Sequence, residues 1–88
     1  MEEISPPEGK LVGRVTHYFS KIGVAVIELS DTLKVGDNIR IIGGLTDFTQ
    51  TVESMEIEHE KVKEAKAGDS IGLKVAQKVR EGYKVYKL

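Results

Sequence analysis

The sequence contains no cysteine and no tryptophan, and only 6% of its 88 residues are aromatic. Without cysteine, the chain has no disulfide, no thiolate zinc site and no thiol nucleophile. No run of eighteen apolar residues occurs, so we expect no membrane-spanning helix and no membrane partner. The first residues, MEEISPP, are acidic and lack an apolar stretch, so we expect no signal peptide. These absences predict a soluble, cytoplasmic protein.

Length and charge narrow the choice further. An 88-residue chain suits one domain with one core and leaves no room for a nucleotide-binding domain beside it. Thirteen basic against fourteen acidic side chains give a net charge of −1, which provides no general attraction to nucleic acid. The charge is unevenly placed, because residues 1–54 hold five basic and eight acidic side chains and residues 55–88 hold eight and six. The basic second half could neutralise a few RNA phosphates.

Segments rich in β-branched and apolar residues alternate with turn residues along the chain. They predict six strands, at residues 11–19, 24–29, 38–42, 48–58, 70–75 and 83–86. With no convincing helix, this pattern predicts an all-β fold and a small six-stranded closed β-barrel, since closure removes exposed strand edges. We expect a flexible polar leader at residues 1–9 and a single barrel domain at residues 10–88.

Three local patterns qualify these strands. Residues 24–29 are apolar at both alternating sets of positions, which indicates a strand buried on both faces. The apolar positions change phase between Val52 and Met55, which indicates a bulge or bend within one long strand. The charged residues 59–66 predict a short helical turn or a loop.

Glycine recurs just before a strand in three segments of similar shape, at residues 33–39, 65–71 and 78–85. Glycine adopts the left-handed turn conformation without a Cβ penalty, and an aspartate after it, Asp37 or Asp69, can accept hydrogen bonds from nearby amides. These segments predict turns that connect strands. None has the spacing of a phosphate-binding loop, so we expect no GTP to bind.

In order and spacing, these motifs resemble domain 2 of the translational GTPases such as elongation factor Tu. The motifs are Gly13-Arg14-Val15, Gly23-Val24-Ala25, the three glycine turns and Val52–Ile57, and the resemblance covers residues 10–88. It implies a six-stranded closed β-barrel of the translation-factor domain 2 type with a non-catalytic role. Similar barrels also follow collagenase-like peptidase-family enzymes, some of which modify tRNA. The chain looks most like a stand-alone elongation factor-like protein.

The resemblance also suggests one contact residue. In factors that deliver aminoacyl-tRNA, domain 2 helps to hold the acceptor end, and a Gly-Asp/Glu-Asn-Val-Gly turn contributes its Asn. The matching segment here is Gly68-Asp69-Ser70-Ile71-Gly72, so Ser70 replaces the Asn. A hydroxyl offers fewer hydrogen bonds than an amide, which weakens the prediction of aminoacyl recognition.

Basic and aromatic residues give two candidate surfaces for RNA or a protein partner. The first consists of Lys61, Lys63 and Lys66, before the fifth predicted strand. The second lies near the first turn, where cations and an aromatic side chain could meet a base, and consists of Arg14, His17, Tyr18 and Lys21. Tyr18 fits the barrel core equally well.

Few residues suggest catalysis. Glu56, Glu58 and Glu60 would share one face of a continuous strand, where they could act as acid and base or form a solvated acidic face. His17 and His59 lack the spacing of metal ligands, and no Gly-x-Ser-x-Gly motif occurs. We therefore expect no enzyme activity, no cofactor and no metal.

Two functions follow from these observations. The first is a binding module that contacts tRNA or ribosomal RNA, within a translation or tRNA-modification complex. The alternative is a protein-interaction subunit that supplies a barrel to a separately encoded peptidase-family or tRNA-modifying enzyme without binding RNA.

Overall fold

The computed structural model describes residues 9–88, so the predicted leader lies outside the described residues except for Gly9. Ten strands form, and no helix occurs among the described residues, which confirms the all-β prediction. The strands are β1 (Lys10–Phe19), β2 (Val24–Leu29), β3 (Leu33–Lys34), β4 (Asn38–Gly43), β5 (Thr46–Thr51), β6 (Met55–Ile57), β7 (Glu60–Val62), β8 (Glu64–Ala65), β9 (Ser70–Lys74) and β10 (Lys84–Lys87).

Eight strands form one antiparallel sheet in the order β5-β4-β10-β1-β2-β9-β6-β7, and β3 pairs with β8 in a second sheet. The predicted six-stranded closed barrel is therefore wrong, because β5 and β7 are edge strands and the large sheet is not closed. The strand number differs for three reasons. One predicted strand divides in two, the predicted loop that follows it contains two more strands, and Leu33–Lys34, in a predicted turn, form the short strand β3.

The predicted strand 48–58 divides where the backbone leaves β4. The Val52 amide donates to the Asp37 carbonyl (2.8 Å), and the Val52 carbonyl accepts from the Gly36 amide (2.8 Å), so Val52 is tied to the turn before β4. After β6, Glu58 and His59 have positive φ angles of 51° and 69°, as in the tight two-residue turn of a hairpin. The hairpin makes residues 60–62 and 64–65 strands, so the predicted helical turn or loop at 59–66 is wrong.

The glycine turns form as the sequence predicts. In the first, the Asp37 amide donates to the Lys34 carbonyl (3.1 Å), and the Asp37 carboxylate accepts from the Lys34 amide (2.8 Å). Residues 66–69 repeat both bonds, at 3.0 and 2.9 Å, and residues 80–83 repeat the backbone bond at 3.2 Å. The third residue of each turn is a glycine with φ between 93° and 100°, which side chains disfavour.

The buried apolar residues form one core cluster, to which both sheets contribute. The first sheet supplies alternate residues of its strands, and Leu33 and Ala65 supply the inner face of β3 and β8. Tyr18 is half-buried and packs against this core, which is the alternative position considered for it.

A side chain spans the gap between edge strand β5 and the chain that follows β9. The Gln50 amide nitrogen donates to the Lys74 carbonyl (2.9 Å), and its oxygen accepts from the Ala76 amide (2.7 Å). One side-chain amide thus makes the pair of bonds that a neighbouring strand would make. It joins the two regions without closing the sheet.

Gln50→Ala should lower the free energy of unfolding by about 1 kcal/mol, because it removes two hydrogen bonds that are exposed, so water can take up the freed backbone groups. Thr49→Ala is the matched control, since Thr49 is an exposed neighbour on the same strand with no side-chain hydrogen bond in residues 9–88. Urea denaturation of both variants measures the difference. Equal stability of the two variants would show that water replaces the Gln50 bonds at no cost.

Candidate binding face

A groove of about 540 Å³ lies on the outer side of β2, β9 and β6. Residues directly opposite one another on paired strands project to the same side of a sheet. The strand register places one row of residues across the groove, which consists of Phe19, Val24 and Lys74. The next row consists of Val26, Gly72, Glu56 and Lys61. We call the groove and its rim the outer face.

Apolar side chains form one wall of the outer face. Ile22 is 61% exposed and Phe19 is 46% exposed, while Val24 and Val26 are half-buried. The prediction that residues 24–29 are buried on both faces is therefore wrong. The inner side of β2 faces the core, but its outer valines are open to the groove.

Gly72 forms the floor of the groove beside these valines. A Cβ atom at position 72 would lie 3.6 Å from Val24 Cγ1 and 4.0 Å from the Glu56 carbonyl oxygen, so a Cβ can be added here without a clash. Gly72 also has no positive φ angle. The missing side chain leaves a slot between the β2 valines and the β6–β7 hairpin.

Charged residues of both signs line the rest of the outer face. Glu56 and Glu58 are acidic, and Lys61 and Lys74 are basic. Within residues 9–88, none of the four takes part in an ion pair. The rim thus has a net charge of zero, with its charged groups available to a partner.

The structure does not bring the eight predicted contact residues to one site. Ser70 and Lys61 line the outer face, and Arg14 lies in a separate depression with Leu11 and Lys84. Arg14 pairs there with Glu28 at 3.4 Å. The remaining predicted residues lie elsewhere: His17 and Tyr18 line a shallow cleft, and Lys21, Lys63 and Lys66 line none of these depressions.

The shallow cleft has cationic walls. Its volume is about 510 Å³, and it contains Lys78 and Arg80 in addition to His17 and Tyr18. The His17 ring meets the Phe19 ring edge-on at 4.4 Å, and His17 Nδ1 lies 3.6 Å from a Glu81 carboxylate oxygen. This contact places one acidic group among the cations.

The predicted acidic face does not form. Glu56 and Glu58 both line the groove, but Glu60 lies on β7 opposite Ile57, so it projects to the other side of the hairpin. No group of three or more metal-binding side chains occurs in residues 9–88. The same part of the chain has no helix long and apolar enough to cross a membrane.

Two carboxylates outside the groove are held in ion pairs. A bond from Lys10 and one from the Thr32 amide lower the pKa of Asp31. The Arg40 guanidinium donates to both Asp47 carboxylate oxygens, at 2.7 and 2.8 Å, and lowers the pKa of Asp47. Asp31 is half-buried and Asp47 is exposed, and both pairs are local surface links rather than reactive groups.

Comparison with known families gives the fold its name. The family model of elongation factor Tu domain 2 matches residues 32–85, more than half of the chain. This chain belongs to the elongation factor Tu domain 2 family. The matched segment includes Ser70, Gly72 and the β6–β7 hairpin of the outer face, whereas the apolar wall on β1 and β2 precedes it.

Relatives of this domain 2 chain are named as proteases. It is 46% identical over 78 residues to an uncharacterised protease of Methanocaldococcus jannaschii, a match that covers 88% of this chain and 19% of that protein. It is 40% identical over 78 residues to a collagenase of Porphyromonas gingivalis, covering 86% of this chain and 22% of that protein. The chain therefore spans about a fifth of the length of these curated relatives.

Solved structures show the same fold. The C-terminal domain of a Geobacillus thermoleovorans protein assigned to the U32 peptidases superimposes with a TM-score of 0.85 at 21% identity, covering 89% of this chain and 99% of that domain. A second crystal structure of that domain gives a TM-score of 0.84 at 19% identity. The domain 2 fold is thus established, but the expected stand-alone translation factor is not confirmed.

The apolar wall is the part of the face that sequence reasoning missed. The signal was present, since Val24 and Val26 alternate with the core residues of the same strand. The same pattern is typical of a strand buried on both faces, so it does not distinguish a buried outer side from an exposed one. Phe19 and Ile22, on either side of the predicted turn, carried no motif that would distinguish them from core residues.

Proposed function

We propose that this chain is a non-catalytic binding module that works together with a peptidase-family catalytic unit. The observation that carries the proposal is its relationship to long proteases. A match of 46% identity covers nearly the whole chain but only 19% of the M. jannaschii protease. The U32 structure that resembles it is a C-terminal domain.

The chemistry of the outer face supports a binding role. Ser54, Ser70 and His59 line the groove, yet no hydrogen bond joins their side chains within residues 9–88. An activated serine needs a base within hydrogen-bond reach. The groove instead offers an apolar wall beside a polar rim, the composition typical of a protein-binding surface.

The purified chain should release no peptides from casein or gelatin, because its groove holds no assembled nucleophile. Ser70→Ala is the informative variant, since Ser70 is the groove hydroxyl that the sequence selected. Release of peptides by the wild-type chain, abolished in Ser70→Ala, would contradict the non-catalytic proposal. Product analysis by mass spectrometry measures the outcome.

Capture of partners tests the second half of the proposal. The tagged full chain should retain a peptidase-family protein from an extract of its own organism, and ribonuclease treatment should not release that protein. Identification by mass spectrometry with and without ribonuclease gives the answer. A bound fraction consisting of RNA and ribosomal proteins, lost after ribonuclease, would instead favour the RNA-binding hypothesis.

A further inference from the structure

The outer face carries a protrusion and a slot side by side. Ile22 and Phe19 project at the β1–β2 turn and are the large apolar side chains of this face that are most exposed. The slot above Gly72 adjoins them along β2, through Val24 and Val26. A surface that presents a protrusion next to a matching cavity can bind a copy of itself, because a two-fold rotation exchanges the two features.

The charged residues of the rim also suit binding to a second copy. The rim has two carboxylates and two ammonium groups, from Glu56, Glu58, Lys61 and Lys74, and none is neutralised by an ion pair within residues 9–88. A rim of one sign would favour a partner of the opposite charge. A rim with equal numbers of both signs is complementary to itself, since each acidic group can face a basic group of a second copy.

We propose that the outer face binds a second copy of this chain and forms a two-fold symmetric dimer. Ile22 and Phe19 of each copy enter the slot above Gly72 of the other, and the rim charges pair around them. This inference goes beyond the proposed function, because it concerns the chain alone. It gives the module a specific action, which is to hold two copies of whatever it is attached to.

The dimer should be weak. Stable interfaces bury about 800 Å² per partner, and a single groove with a short rim on an 88-residue chain lies at the lower end of that range. We therefore expect a dissociation constant of about 10–100 µM. Measurements must reach concentrations of about 1 mM to populate the dimer fully.

Sedimentation equilibrium of the full chain from about 10 µM to about 1 mM tests the proposal. The average mass should rise from that of one copy to that of two. Ile22→Ser should raise the dissociation constant at least about tenfold, since it removes an apolar side chain from the centre of the interface. Leu45→Ser is the matched control, because Leu45 is also an exposed large apolar residue but lies at the tip of the β4–β5 hairpin.

Two further variants test the interface independently of Ile22. Gly72→Leu fills the slot, and its Cβ meets only an ordinary contact with Val24, so the monomer should fold while dimerisation is lost. Lys61→Glu changes the net charge of each rim from zero to −2. It should therefore raise the dissociation constant of the dimer several-fold at about 0.1 M salt. The double variant Glu56→Lys/Lys61→Glu restores a net charge of zero and should recover much of the affinity.

Circular dichroism confirms that each variant is folded before its mass is measured. A wild-type chain that stays monomeric at about 1 mM overturns the proposal. So does a dimer whose dissociation constant is unaffected by both Ile22→Ser and Gly72→Leu, or one that Leu45→Ser weakens as strongly. Loss of the dimer in these two variants, with Leu45→Ser unchanged, supports it.

Discussion

Replacing Gly43 with alanine should lower the free energy of unfolding by about 3 kcal/mol, although it adds a single methyl group. Gly43 ends β4, and the Tyr83 ring lies directly on its backbone, so a Cβ atom at position 43 would fall inside that ring. The ring cannot withdraw easily. The Tyr83 carbonyl accepts from the Val15 amide (2.7 Å), its amide donates to the Arg80 carbonyl (3.2 Å), and its side chain packs against the core.

Gly72→Ala is the control for this prediction. Gly72 is also a strand glycine, but its added Cβ would lie 3.6 Å from the nearest side chain, so we expect a change below about 0.5 kcal/mol or a slight stabilisation. The double variant Gly43→Ala/Tyr83→Ala should be little less stable than Tyr83→Ala alone, because the clash disappears with the ring. Equal losses in Gly43→Ala and Gly72→Ala would refute the steric explanation.

Leu33→Ala should lower the free energy of unfolding by about 2–5 kcal/mol, the range for truncating a fully buried leucine side chain to alanine. Leu33 is 0% exposed and lies opposite Ala65 in the two-stranded sheet of β3 and β8. A sheet of two residues per strand has few ladder hydrogen bonds, so its buried side chains must hold it against the core. Thermal and urea unfolding measure the loss.

Val35→Ala provides the comparison. Val35 lies two residues further along the chain, is 40% exposed, and contributes its backbone amide to Lys63 (2.9 Å), a bond that alanine retains. We expect the free energy of unfolding to fall by less than about 1 kcal/mol, since the substitution removes little buried apolar area. If Leu33→Ala were no more destabilising than Val35→Ala, the small sheet would be an accessory to the core rather than part of it.

Local patterns predicted the parts of the fold that depend on neighbouring residues. The Gly-Asp turns formed with the expected amide caps because their bonds lie within four residues, as between Lys34 and Asp37. In β9, the alternate residues Ile71 and Leu73 are buried in the core. When one side of a strand faces the core, every second residue is buried, so alternation in the sequence is enough to identify the buried residues.

The errors arose where distant parts of the chain decide the structure. Val52 leaves the strand because it bonds to the turn at Gly36 and Asp37. The phase change between Val52 and Met55 indicates a bend at this place, but not the distant bonds that divide the strand. The hairpin at Glu58 and His59 uses positive φ angles on residues that are not glycine, so it lacked the usual sequence signal. Because of these two features, the single barrel strand predicted at residues 48–58 is replaced by separate strands of an open sheet.

The candidate site shows the same division. The sequence pointed to Ser70 through a motif and to lysines through their charge. Neither a motif nor a charge shows whether these side chains lie at one site in the folded chain. The structure distributes those residues over separate depressions and assembles the outer face from β1, β2, β6, β7 and β9. The slot at its centre comes from Gly72, a residue notable in sequence only as part of a turn motif.

The lack of cysteine, the short length and the turn-punctuated β-branched segments were enough to determine an all-β chain without thiol chemistry. Composition and short-range spacing fix such properties because they act through single residues and their near neighbours. The tertiary structure alone decided that the sheet stays open and that the outer valines of β2 face a groove. Both depend on which strands become neighbours, and strand pairing joins residues far apart in the chain.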